Sequence, residues 1–117
     1  MEYIRRRAFR LYFGGAAEIA DTNSKRRLLA LTTDLSAFGC FVKTETPWPT
    51  GTEIAVKITH KGQAFVGLGT VAHARPELGM GIAFSAVTRE DQEILDRWLS
   101  HSDRRQREVP VQFRTIN

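Results

Sequence analysis

Between residues 53 and 59 the chain alternates: Ile54, Val56 and Ile58 share one face, and Glu53, Lys57 and Thr59 fall mainly on the other. A period of two belongs to a strand with one dry face and one wet face, which is the habit of antiparallel sheets. Comparable short runs flank it, each closed by turn chemistry. Residues 9–19 gather Phe9, Leu11, Tyr12 and Phe13 around Gly14 and Gly15, a pair that marks a bulge inside a strand. Residues 21–25 (DTNSK) are short polar side chains that satisfy their own backbone in a turn. A second strand is expected over 28–33, a turn over 34–39 (DLSAFG) and a short third strand over 40–44. Pro47 and Pro49 make 46–51 a loop, because neither can donate to a ladder. Residues 60–63 (HKGQ) are a hairpin connection into a long run over 64–75. Pro76 to Gly79 turns again into 80–84, where Met80, Ile82 and Phe84 point inward.

The pattern then changes period. Thr88 followed by Arg89, Glu90 and Asp91 reads as an N-cap with acidic residues in the first turn. Ile94, Leu95, Trp98 and Leu99 follow on one helical stripe, opposite Arg89, Glu93 and Asp96, so a helix is expected over 89–100. Six short strands and one terminal helix predict an all-β fold: a six-stranded antiparallel β-barrel with a C-terminal α-helix packed on it. At 117 residues there is room for one domain. It divides into an Arg-rich, flexible arm over 1–8, the barrel and helix over 9–100, and a basic tail over 101–117. In that tail Arg104, Arg105 and Arg107 read as a solvated exit from the helix. The alternation of Val109, Val111 and Phe113 would instead suit an added edge strand or a dimer contact.

Much chemistry is excluded by what the chain lacks. One cysteine, Cys40, forms no internal disulfide and fits a reducing compartment; no apolar run approaches the ~20 residues of a membrane span. A cytoplasmic domain without membrane insertion is expected. His60, His73 and His101 are far apart, with no His, Cys, Asp or Glu at metal-ligand spacing, so no metal or cofactor is expected. Cys40 follows Gly39 in an apolar strand, which suits a core side chain better than a nucleophile. Gly67 and Gly69 lie inside a β-like stretch with no helix after it, so close strand packing explains them better than a dinucleotide fingerprint. The chain does not read as an enzyme.

Charge points to a partner instead. Seventeen Lys and Arg against thirteen Asp and Glu give a net +4, and Arg5, Arg6, Arg7 and Arg10 all lie within the first ten residues. Arg6 and Arg10 form R-x-x-x-R directly before the first strand; Asp34, Ser36 and Gly39 form D-x-S-x-x-G between two strands. Either motif alone is common. In this order, the pair resembles the PilZ domain family, as do the stretches 40–44 (CFVKT) and 79–84 (GMGIAF).

The resemblance spans about residues 5–99 and implies a receptor for cyclic di-GMP. Arg6 and Arg10 would be its principal ligand arginines, with Asp34, Ser36 and Gly39 as the second wall. Residue chemistry agrees. An arginine fork matches the N7 and O6 acceptors of guanine and pairs with phosphate oxygens. The Asp34 carboxylate can accept from guanine N1–H and N2–H2, a donor pair that adenine lacks. Ser36 is suited to bond the ligand or brace the turn, and Gly39 to let ligand approach the backbone. Arg5 and Arg7 stand beside the pair as additional ligand contacts. In the family the residue before R-x-x-x-R, here Arg5, influences whether one ligand or an intercalated dimer binds. Ligand would order the arm against the barrel, and a separate effector protein, in motility or exopolysaccharide output, would read the result. Two rival readings remain. One is an adaptor of the same fold without ligand. The other is a small basic barrel that binds single-stranded nucleic acid through Phe9, Tyr12, Phe13, Phe38 and Phe41. No ribonucleoprotein-type motif supports the latter, and inward-facing rings would be unavailable for stacking.

Overall fold

The computed structural model describes residues 11–101. The expectations for the arm, the tail, Phe9, Arg5, Arg6, Arg7 and Arg10 lie outside those residues. Six strands form the barrel: β1 Leu11–Asp21, β2 Arg27–Leu35, β3 Gly39–Lys43, β4 Glu53–His60, β5 Gln63–Arg75 and β6 Gly79–Ala86. They close in the order β1-β2-β3-β6-β5-β4, every pairing antiparallel. One helix, α1, spans 89–101.

Alternation does what the sequence predicts in β4, where Ile54, Val56 and Ile58 are fully buried. They meet Phe13, Ile19, Val42, Phe65, Val71, Met80 and Ile82 in a single core. Leu95 and Trp98 of α1 are buried in the same cluster. Trp98 lies 5.2 Å from the Phe13 ring, and its indole N–H donates to Gln63 Oε1 at 3.3 Å. The helix begins as its cap residues dictate: the Asp91 N–H donates to Thr88 Oγ1 at 3.1 Å, and Asp91 Oδ1 accepts the Val66 N–H at 3.0 Å. A cap residue thereby also ties the helix to β5.

The turns follow their residues as well. Lys61 and Gly62 both take positive φ (50° and 82°), the two-residue hairpin loop whose twist matches its strands. In the 21–25 turn, Asp21 accepts the N–H groups of Asn23 (2.8 Å) and Ser24 (3.1 Å) and pairs with Arg26 (2.9 Å). Arg26 in turn lies 4.6 Å from the centre of the Trp48 ring. These contacts, the Arg26 bond first, hold the Asp21 carboxyl well below its ordinary range. A depressed folded-state value stabilises the fold above the unfolded pKa, about 4, and the contribution fades as pH falls through the interval below it. Asp21→Asn, which keeps the turn geometry but not the charge, is expected to melt at a lower temperature than the parent at pH 7. Melts at successively lower pH below about 4 should show the difference shrinking; a constant difference would assign the effect to shape alone.

The paired glycines behave as expected, with an extra residue in β1 between Tyr12 and Gly15. Gly69 is also a packing glycine, since a Cβ there would strike the Ala83 carbonyl oxygen. Three further irregularities were not legible: β2 carries one between Thr32 and Asp34, β5 one between Val71 and His73, and β6 one between Phe84 and Ala86.

Candidate functional site

The D-x-S-x-x-G segment is less of a turn than the sequence suggests. Asp34 and Leu35 still belong to β2, with Asp34 paired to Tyr12 on one side and Phe41 on the other. Only residues 36–38 lie outside the strands, because backbone pairing continues through Leu35↔Cys40. Ser36 is buried and braces the connection. Its N–H donates to the Gly39 carbonyl at 2.9 Å, and its Oγ accepts the Phe38 N–H at 3.1 Å. The Phe84 N–H donates to the Phe38 carbonyl at 2.8 Å, which fastens the connection to β6. Gly39 is required for a reason the sequence did not reveal. A Cβ there would collide with the Ile82 carbonyl oxygen, so the glycine serves the approach of β6 whatever else it touches.

Around this connection lies a cavity of about 170 Å³ lined by Asp34, Ser36, Phe38, Gly39, His73 and Gly81, among others. Asp34 is half-buried and Phe38 exposed. His73 is the residue that sequence reasoning missed. Phe41 and His73 both pair with Gly81, and their rings stand 6.2 Å apart at an interplanar angle of 29°. A side chain at position 81 would displace the imidazole. An exposed ring is thus held over bare backbone at the cavity wall, with the irregularity in β5 immediately before it. Counting outward from the Pro76–Gly79 turn would have opposed His73 to Gly81, since Arg75 pairs with Gly79.

Cys40 lines the same cavity but offers no nucleophile. Burial, and secondarily the Asp34 charge, push its thiol up to about 12. Among the described residues no three His, Cys, Asp or Glu side chains gather at a metal site, and no helix is long and apolar enough to cross a membrane. The cavity therefore combines a carboxylate, an imidazole and an exposed phenyl ring. Groups of these types are chemically suited to a flat, donor-bearing heterocycle.

A family model described as PilZ domain matches residues 4–101. The chain belongs to the PilZ domain family. No curated protein matches it in sequence. Among solved structures, this PilZ domain resembles the Bacillus subtilis inhibitor of motility MotI/DgrA, with 18% identity and a TM-score of 0.66. The match covers 85% of this chain and 49% of the Bacillus one, so the present chain spans about half that protein's length. The PilZ domain of CeSA from a cellulose-synthesizing bacterium matches with 18% identity and a TM-score of 0.64, over 79% of this chain and 95% of that one. The PilZ domain of YcgR from Escherichia coli, solved with c-di-GMP, matches with 15% identity and a TM-score of 0.66, over 86% and 93%. At such identities the likeness is one of fold.

Proposed function

We propose that this PilZ domain is a receptor for cyclic di-GMP. The observation that carries the reading is the cavity itself, which brings Asp34, Ser36 and Gly39 of the family motif to one wall and an ordered imidazole, His73, to another. At about 170 Å³ it is smaller than the roughly 300 Å³ of a self-sufficient ligand pocket, so the barrel supplies only part of the site. The rest is assigned to Arg6 and Arg10. Arg10 directly precedes Leu11, whose β2 partner is Leu35, the neighbour of Ser36. That register starts β1 at the end of the barrel that holds the Ser36 connection, which supports assigning the preceding R-x-x-x-R to the same site.

In this reading Asp34 accepts from the Watson–Crick edge of a guanine, and His73 offers a flat face to a base. Arg6 and Arg10, aided by Arg5 and Arg7, take guanine acceptors and phosphate oxygens through charge-assisted bonds. Those bonds must exceed the entropy of ordering the arm. The ordered arm with its ligand is then the surface that an effector protein reads. The YcgR domain solved with c-di-GMP supports the ligand class, and the Bacillus inhibitor of motility supports an output in motility.

Calorimetric titration of cyclic di-GMP into the purified chain tests the reading. Saturable binding is expected, and two ligands per chain would fit an intercalated dimer beside Arg5. No binding would overturn the receptor reading. With His73→Ala, the loss of a stacking face should weaken binding roughly tenfold, while His73→Phe should keep most of the affinity. Unchanged affinity in His73→Ala would remove the imidazole from the site.

A further inference from the structure

We propose that the groove between β5 and the start of α1 is covered by the chain's own segment 109–113 (VPVQF). The groove exists because β6 parts from β5 before β5 ends. Their pairing stops at Leu68↔Ala86, and the chain then runs through Val87 and Thr88 into α1. Beyond that pair it is Asp91 of α1, not β6, that accepts the Val66 N–H, at 3.0 Å. The space left is a cavity of about 290 Å³, lined by Val66, Leu68, Ala86, Val87, Thr88 and Asp91 among others. Val66 and Leu68, two apart on one strand, are 45% and 48% exposed, and Ala86 is exposed beside them. Apolar side chains gathered along an open groove mark a surface that another segment covers.

Three features select this segment as the occupant. First, its pattern fits. Val109, Val111 and Phe113 alternate with Pro110 and Gln112, so an extended stretch turns three apolar side chains to the groove and Gln112 to water. Second, it reaches. The groove lies at the N-terminal end of α1, and the 89–101 helix is about 20 Å long at 1.5 Å per residue. Residues 102–108 extend up to about 25 Å, enough to run back along the helix and set 109–113 in the groove.

Third, charge suits the return path. Glu90, Glu93 and Asp96 are exposed on α1 at intervals of three, and none has an ion pair among the described residues. Arg104, Arg105 and Arg107 lie in the stretch that would pass them; each pairing is weak, but all favour the same course. Tethering favours this segment over a free partner. A linker of this length holds 109–113 at an effective concentration on the order of mM, so modest contacts keep the groove filled. The groove shares no lining residue with the cavity at Asp34 and His73, and the inference does not rest on the ligand of that cavity.

Disulfide trapping in the full chain tests it. With Leu68→Cys and Phe113→Cys, mild oxidation should close an intramolecular disulfide. It should form about tenfold faster, or more, than with Leu29→Cys and Phe113→Cys, whose exposed leucine lies on β2, across the barrel from β5. Cys40 does not compete, because it is buried and its thiol is pushed up to about 12. Separately, Val111→Asp with Phe113→Asp should shift the methyl resonances of Val66, Leu68 and Val87 and leave those of Leu29 and Leu78 in place. Thermal melts check that each variant is folded. Equal trapping rates at Leu68 and Leu29 overturn the proposal, and so do groove methyl signals that the double Asp variant does not move. Trapping only between chains gives the groove to a second copy and overturns it as well.

Discussion

Replacing Gly39 by alanine is expected to destabilise the domain by about 3 kcal/mol, among the largest effects open to a single methyl group. The added Cβ would strike the Ile82 carbonyl oxygen, and it would lie 3.0 Å from that carbonyl carbon and 3.3 Å from Ala83 Cα. All three are backbone atoms of β6, so no rotamer change relieves the clash. Relief requires β3 to move from β6, which strains the Gly39↔Ala83 pairing and the Phe84–Phe38 bond. Thermal melting should show a fall on the order of 15 °C. Because the same movement disturbs the Ser36 connection, ligand binding should weaken at temperatures where the variant is still folded. Unchanged stability with binding alone lost would show that Gly39 makes room for ligand and not for β6.

Gly39 also shows why some of this site was legible in the sequence and some was not. The type of residue was readable, because D-x-S-x-x-G between two strands needs a glycine. Its reason was not, since the nearest atoms belong to a strand more than forty residues further along. Where alternation is unbroken, as in β4, inside and outside follow from counting, and the core residues Ile54, Val56 and Ile58 are those expected. An irregularity breaks that count, because one extra residue reverses which side chains face inward. Asp34 follows one and His73 another. The sequence therefore assigned Asp34 to a turn and gave His73 no place in the site. The outer leucines escaped for a different reason. Residues 28, 29 and 31 are all leucine, so the run names a strand without saying which face is dry. Only register with β1 shows that Leu29 stands beside Glu18 and Leu31 beside Ala16, on the outside. The helix, in contrast, was readable to within a residue, since Thr88 and Asp91 make their cap locally.

Arginine 10 is expected to carry the largest single share of ligand affinity, and Arg10→Ala should weaken cyclic di-GMP binding roughly a hundredfold or more. A guanidinium fork places two charge-assisted bonds on one acceptor pair. Losing it costs about 3 kcal/mol or more, and each 1.4 kcal/mol is tenfold in Kd. Arg10→Lys separates geometry from charge: a lysine keeps the positive charge but lacks the planar fork, so it should recover only a minor part of the loss. Because the charged Arg10 is assigned to ligand and not to the apolar core, neither variant should shift the melting temperature of the ligand-free chain by more than a degree or two. In parent, Arg10→Ala and Arg10→Lys, titration at two salt concentrations then distinguishes the remaining readings. Full affinity in Arg10→Ala would make the R-x-x-x-R stretch a solvated basic segment and leave recognition to Asp34 and His73. Recovery in Arg10→Lys with a steep salt dependence would make the arm a counter-charge for phosphate, with guanine read elsewhere. Loss in both, with modest salt dependence, is the result the fork predicts.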